Sequence, residues 1–167
     1  MGTLSFEVKE FIEDNIELIE QNRWDEVYDN ASFNLDSEST GAFTKCILDL
    51  GIDPISEQGL DYIPDYYLSD TDITKYTISE RIHQLGTGCF SYTNLHSILI
   101  PKSVTQIDNY AFHSCLNLRY VTILCDTVII GDAVFVNCPE SLTLICREGS
   151  YAESYAKENS IKVEYIN

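Results

Sequence analysis

Apolar and polar positions follow two different periods along this chain, and the change of period divides it. From Phe6 to Ile19, the residues Val8, Phe11, Ile12, Ile16 and Ile19 recur at steps of three and four. That spacing predicts an amphipathic helix. Glu7, Glu10, Glu13, Asp14, Glu17 and Glu20 cover its other face. Trp24, Val27 and Tyr28 predict a short second helix starting near Asn22 or Arg23, and Phe43, Ile47 and Leu50 a third. Gly51 stands where a helix end requires positive φ, with Ile52 as the apolar follower. Pro54 stops continuation. The polar run from Asn34 to Thr40 reads as a mobile loop. After residue 60 the chain turns to Ile, Val, Thr and Tyr, which favour strands.

The second half repeats itself. The segment 78–90 (Ile78, Ile82, Leu85, Cys89, Phe90) aligns with 100–112 (Ile100, Val104, Ile107, Ala111, Phe112) and with 123–135 (Ile123, Ile130, Val134, Phe135). The three Phe residues lie 22 and 23 positions apart. A second apolar set follows, Leu95, Ile98 and Ile100, then Leu118, Val121 and Ile123. Around Leu68 the same template fits upstream, so about four units occupy residues 60–146. A fixed period of this length marks stacked units, each unable to bury its apolar face alone. Both ends then need covering. Ser150 and Glu153 form a capping box that opens a helix over Tyr151 to Asn159. Ile161, Val163 and Tyr165 alternate as a last strand that closes the edge.

The run Ile-Pro-Lys-Ser-Val-Thr-Gln-Ile-Asp-Asn-Tyr-Ala-Phe-His-Ser-Cys-Leu-Asn-Leu, residues 100–118, resembles the BspA-type leucine-rich repeat. The resemblance spans about 60–159 and leaves residues 1–55 uncovered. Ser79 and Leu124 stand where that pattern favours proline. It implies a curved solenoid, and with the helices before residue 55 and the helix and strand after residue 150 the expected fold is α+β: a short leucine-rich-repeat solenoid with an N-terminal helical cap and a C-terminal helix-strand cap. The expected division is an acidic helical cap over 1–55 and repeats with their C-terminal cap over 56–167. The resemblance further implies protein binding, a bacterial or mobile-element setting, and no catalysis or cofactor.

Charge sharpens the division. The 167 residues carry a net charge of -17. Residues 1–77 hold 18 acids against 4 bases, and residues 78–167 hold 9 against 6. A surface this acidic argues against direct nucleic-acid binding and against anionic membranes. No stretch is long and apolar enough for a membrane span, and the first residues lack a signal-peptide pattern, so a cytoplasmic location is expected. The six cysteines contain no C-x-x-C pair and read as reduced, mostly structural thiols. Cys115 and Cys138 share one repeat position, where a disulfide is geometrically conceivable.

Candidate chemistry is sparse. His83, His96 and His113 fall in different turns without a nucleophile motif, which points away from an enzyme. His113 and Cys115 lack further ligands, so no metal is expected. In the strand pattern, Thr74, Lys75, Thr77, His96, Ser97, Leu99, Arg119, Tyr120 and Thr122 point outward. Stacking should place Lys75 near Ser97 and Tyr120, and His96 near Arg119. Arg and Tyr are enriched in binding hot spots. Lys75, His96, Arg119 and Tyr120 are therefore the expected contacts of a protein partner. The alternative is an acidic, anti-CRISPR-like inhibitor that mimics nucleic-acid charge through Glu10, Glu13, Asp14, Glu17 and Glu20. A monomer or weak dimer is expected, with an exposed edge near Leu99 able to pair two copies.

Overall fold

A computed structural model describes residues 5–55 and 59–166. Four helices come first: α1 (Phe6–Asp14), α2 (Ile16–Glu20), α3 (Trp24–Asn34) and α4 (Ser37–Asp49). The long predicted first helix is broken at Asn15. That side chain is buried, donating to Phe11 O at 2.9 Å and accepting from Asn30 at 2.7 Å. The polar run expected as a loop is partly helix. Asp36 caps α4 through the Ser39 amide at 2.8 Å. Ser39, Thr40 and Gly41 then face the core. Gly51 adopts φ +79°, as a helix end of this kind requires.

Two parallel sheets then build a solenoid. One orders β1 (Tyr62–Ile63), β2 (Gln84–Leu85), β4 (Gln106–Ile107) and β6 (Ile129–Ile130). The other orders β3 (Ser97–Ile100), β5 (Tyr120–Ile123), β7 (Thr143–Cys146) and β8 (Lys162–Tyr165). After the first turn, which gives only β1, each turn donates one strand to each sheet until α5 (Tyr151–Glu158) interrupts the first. The predicted repeat is present, with Ile98, Val121, Leu144 and Val163 in register across the second sheet. The strand expected at 74–78 is absent. Tyr76 there turns its ring between Tyr67 and Phe90, at centroid distances of 6.3 and 5.2 Å.

The third wall is made of turns that hold two left-handed residues each. Tyr66, Gly88, Tyr110 and Ala133 form one ladder, and Asp70, Tyr92, Ser114 and Asn137 the other, all at φ between 54 and 60°. Left-handed backbone is unfavourable for residues with a Cβ. Here the stacking demands it, because each such amide in the first three turns donates to a carbonyl of the following turn, for example Tyr92 to His113 O at 2.9 Å. Between the ladders sit the Phe plugs. Phe90, Phe112 and Phe135 stack at 5.4 and 5.6 Å with interplanar angles of 13 and 10°.

Beside each plug, a small donor closes on the plug backbone. Thr71 and Thr93 bond Leu68 O and Phe90 O at 2.7 and 2.8 Å. Cys115 and Cys138 bond Phe90 O and Phe112 O at 3.0 and 3.1 Å. These thiols are free. The neighbouring Cys115 thiol, with burial second, pushes the Cys138 thiol far up and keeps it protonated.

Candidate functional site

The outer face of the second sheet carries two rows of outward residues. Ser97, Tyr120, Thr143 and Lys162 form one, and Leu99, Thr122, Ile145 and Glu164 the other. Alternation along each strand sets this arrangement, since Ile98, Ile100, Val121 and Ile123 all face the core. Leu99 is 50% exposed and Tyr120 47%. Thr143 is buried, and Ile145 is half-buried.

Two of the predicted neighbours meet. The Arg119 amide donates to His96 O at 2.9 Å, which stacks the two residues at the entrance of β5 and β3. Tyr120 pairs in register with Ser97. The Arg119 guanidinium reaches Ser141 Oγ at 3.1 Å, so it lies along the face toward the next turn. Lys75 is exposed but belongs to the irregular segment before Ile78. Residues 74–78 form no strand paired with β3, so no ladder sets a register between Lys75 and Ser97. Ile145, Lys162 and Glu164 complete the rows and were not singled out by sequence. The alternation Leu142, Leu144, Cys146 was the available signal.

The alternative acidic residues lie at the other end of the molecule. Glu10, Glu13, Asp14, Glu17 and Glu20 are all exposed on α1 and α2. Glu10 and Asp14, with Glu7, line a groove of about 430 Å³ between α1 and α3, together with Phe11, Asn15, Asn30, Asn34 and Leu35. No basic side chain occupies the last turn of α1, α2 or α3.

His113 lies edge-on to Tyr92 and Tyr110 at 5.1 and 5.8 Å and meets Asn137 Nδ2 at 3.3 Å. Among the described residues, no group of three or more His, Cys, Asp or Glu side chains is placed to hold a metal ion. No helix among them is long and apolar enough to cross a membrane.

A stack of parallel strands whose turns carry apolar plugs and small donors defines a leucine-rich-repeat solenoid. The family model of the BspA-type leucine-rich repeat region, in six copies, matches residues 30–142, and the chain belongs to that family. No curated protein and no solved structure matched. The match begins inside α3, ahead of the repeats legible by eye. Repeats of this family are in general protein-interaction scaffolds.

Proposed function

We propose that this chain is a protein-interaction module that presents the outer face of β3, β5, β7 and β8 to one protein partner. His96, Arg119 and Tyr120 are the central contacts, with Lys75 at the margin of the face. The observation that carries this reading is the placement of Arg119 and Tyr120 side by side next to half-exposed Leu99 on a rigid sheet. Residues of this kind are enriched among those that supply most of the energy at interfaces, because a planar guanidinium offers several donors in a fixed fork and a phenol covers area with few rotatable bonds. A second reading is favoured by the acidic groove between α1 and α3. There the helices would occupy a basic nucleic-acid channel of an enzyme, in the manner of a mobile-element inhibitor.

Affinity capture from a bacterial host lysate at low and high salt separates the two. Capture of one partner that survives high salt and is lost in Arg119→Ala/Tyr120→Ala supports the strand face. Capture of a basic nucleic-acid enzyme that vanishes at high salt, and is lost when the five acids are neutralised, supports the second reading. A partner indifferent to both sets of changes overturns both.

A further inference from the structure

β8 is the outermost strand of its sheet. In a parallel ladder, alternate residues turn their amide and carbonyl groups to the same neighbour. The Ile166 amide donates to Cys146 O at 3.0 Å. The backbone groups of Lys162 and Glu164 therefore face β7, and those of Val163 and Tyr165 face away from the sheet. Among the described residues these outward groups have no partner. A free row of this kind is a template for another strand.

The charges on β8 select which strand. Lys162 and Glu164 lie two residues apart on the outer face, side chains 64% and 48% exposed, with Nζ and Oε1 2.9 Å apart. Consider a second β8 laid antiparallel and centred on Val163. Lys162 then stands opposite the partner's Glu164, and Glu164 opposite the partner's Lys162. Both are non-hydrogen-bonded positions, where cross-strand side chains come closest. The backbone fits the same centre. Val163 exchanges both bonds with its own copy. The Tyr165 amide meets the carbonyl of the partner's Ile161, whose own amide is already spent inside its chain on Ala156 O, as the 2.8 Å bond here shows. Centring on Ile161 or Tyr165 would instead set Lys162 against serine or Glu164 against isoleucine. β3, the other outermost strand, offers Ser97 and Leu99, with no charge to fix a register.

We propose that two copies of this chain associate across a two-fold axis through β8, joining their outer sheets into one continuous sheet. Such an interface is isologous, as closed dimers require. The strong negative charge does not forbid it. Residues 147–166 carry three bases against four acids, and the acidic helices lie at the far end of the solenoid. This inference is independent of which face binds a partner.

Sedimentation equilibrium on the full chain, 19.0 kDa, tests it. The wild type is expected to double in mass as concentration rises from micromolar to millimolar. Val163→Pro removes the outward amide without touching the bonds to β7, and should stay a monomer with unchanged circular dichroism. Lys162→Glu and Glu164→Lys should each weaken the dimer about tenfold or more, because every interface change counts twice. Combining them swaps the two charges and should restore dimerisation. A wild type that keeps the mass of one chain throughout overturns the proposal, as does a combined variant no tighter than the single ones.

Discussion

Gly41 shows how a single side chain can contradict its own element. In the middle of a helix, alanine ordinarily stabilises by about 1 kcal/mol relative to glycine. A Cβ at Gly41, however, would lie 1.8 Å from Ser69 O and 2.9 Å from Ser69 C. Both are backbone atoms of the first solenoid turn, so neither can step aside. The steric term exceeds the propensity term, and Gly41→Ala should destabilise the protein by roughly 2–4 kcal/mol in urea denaturation. A gain in stability would show that α4 does not seat on Ser69. Gly88 is constrained in a related way, since a Cβ there would meet the Tyr66 ring at 2.7 Å. Neither contact was visible in the sequence, because periodicity reports which face is apolar and not which atom lies against a glycine. The segment around Lys75 keeps the expected pattern of exposure, with Thr74, Lys75 and Thr77 exposed and Ile78 buried, yet it forms no strand. Tyr76 turns inward, as its place in the template predicts, and packs between Tyr67 and Phe90.

The repeating element was the most legible level, and its details still differ from turn to turn. The Phe spacing predicted the plug ladder correctly. It did not reveal that turns are clasped in pairs. Asp65 Oδ1 accepts the Thr87 amide at 2.6 Å, and Asn109 Oδ1 accepts the Asp132 amide at 2.8 Å. The partner turn then needs a glycine, Gly86 or Gly131, since a Cβ would sit 2.6 or 2.5 Å from those oxygens. At the C-terminal end half of the expected capping box forms: the Glu153 amide donates to Ser150 Oγ at 3.2 Å, while the Ser150 amide donates to Arg147 O rather than to the Glu153 carboxylate. The Glu153 carboxylate is used elsewhere. It accepts from Lys157, from the Tyr165 hydroxyl at 2.6 Å and from the Gly149 amide at 2.6 Å, tying α5 to β8. Those donors, Lys157 first, lower its pKa from 4.5 to about 2. A carboxyl depressed by folding stabilises above its unfolded pKa and loses that contribution as pH falls toward the folded one. The wild type should therefore lose stability between about pH 4.5 and 2 through this group. Glu153→Gln should be less stable at neutral pH and show a shallower acid limb in thermal melts. Parallel pH profiles for the two proteins would show that the clasp does not hold.

At the scale of the molecule, one aromatic chain joins the acidic helices to the solenoid. It runs Phe11, Phe43, Tyr28, Tyr67, Tyr76, Phe90, Phe112, Phe135 and Tyr155, with successive centroids 5.1 to 6.3 Å apart. The helices are thus packed into the same core, while their outer surface holds the acids. That surface works against the fold. Glu10 and Asp14 are like charges at i,i+4, and Glu13 and Asp14 sit near the negative end of α1. Replacing Glu10, Glu13, Glu17 and Glu20 with Gln and Asp14 with Asn should raise stability by about 1 kcal/mol at low salt, at a few tenths for the relieved pair and for each charge at the helix end. Added salt screens the same repulsion, so the gap between variant and wild type should close by about 0.5 M. Denaturation of both proteins across a salt series measures this directly. If the neutral variant is less stable, the acids contribute to the fold. If it is more stable, they are kept at a cost to folding, and the reason for keeping them must lie outside the fold, in solubility or in a basic partner.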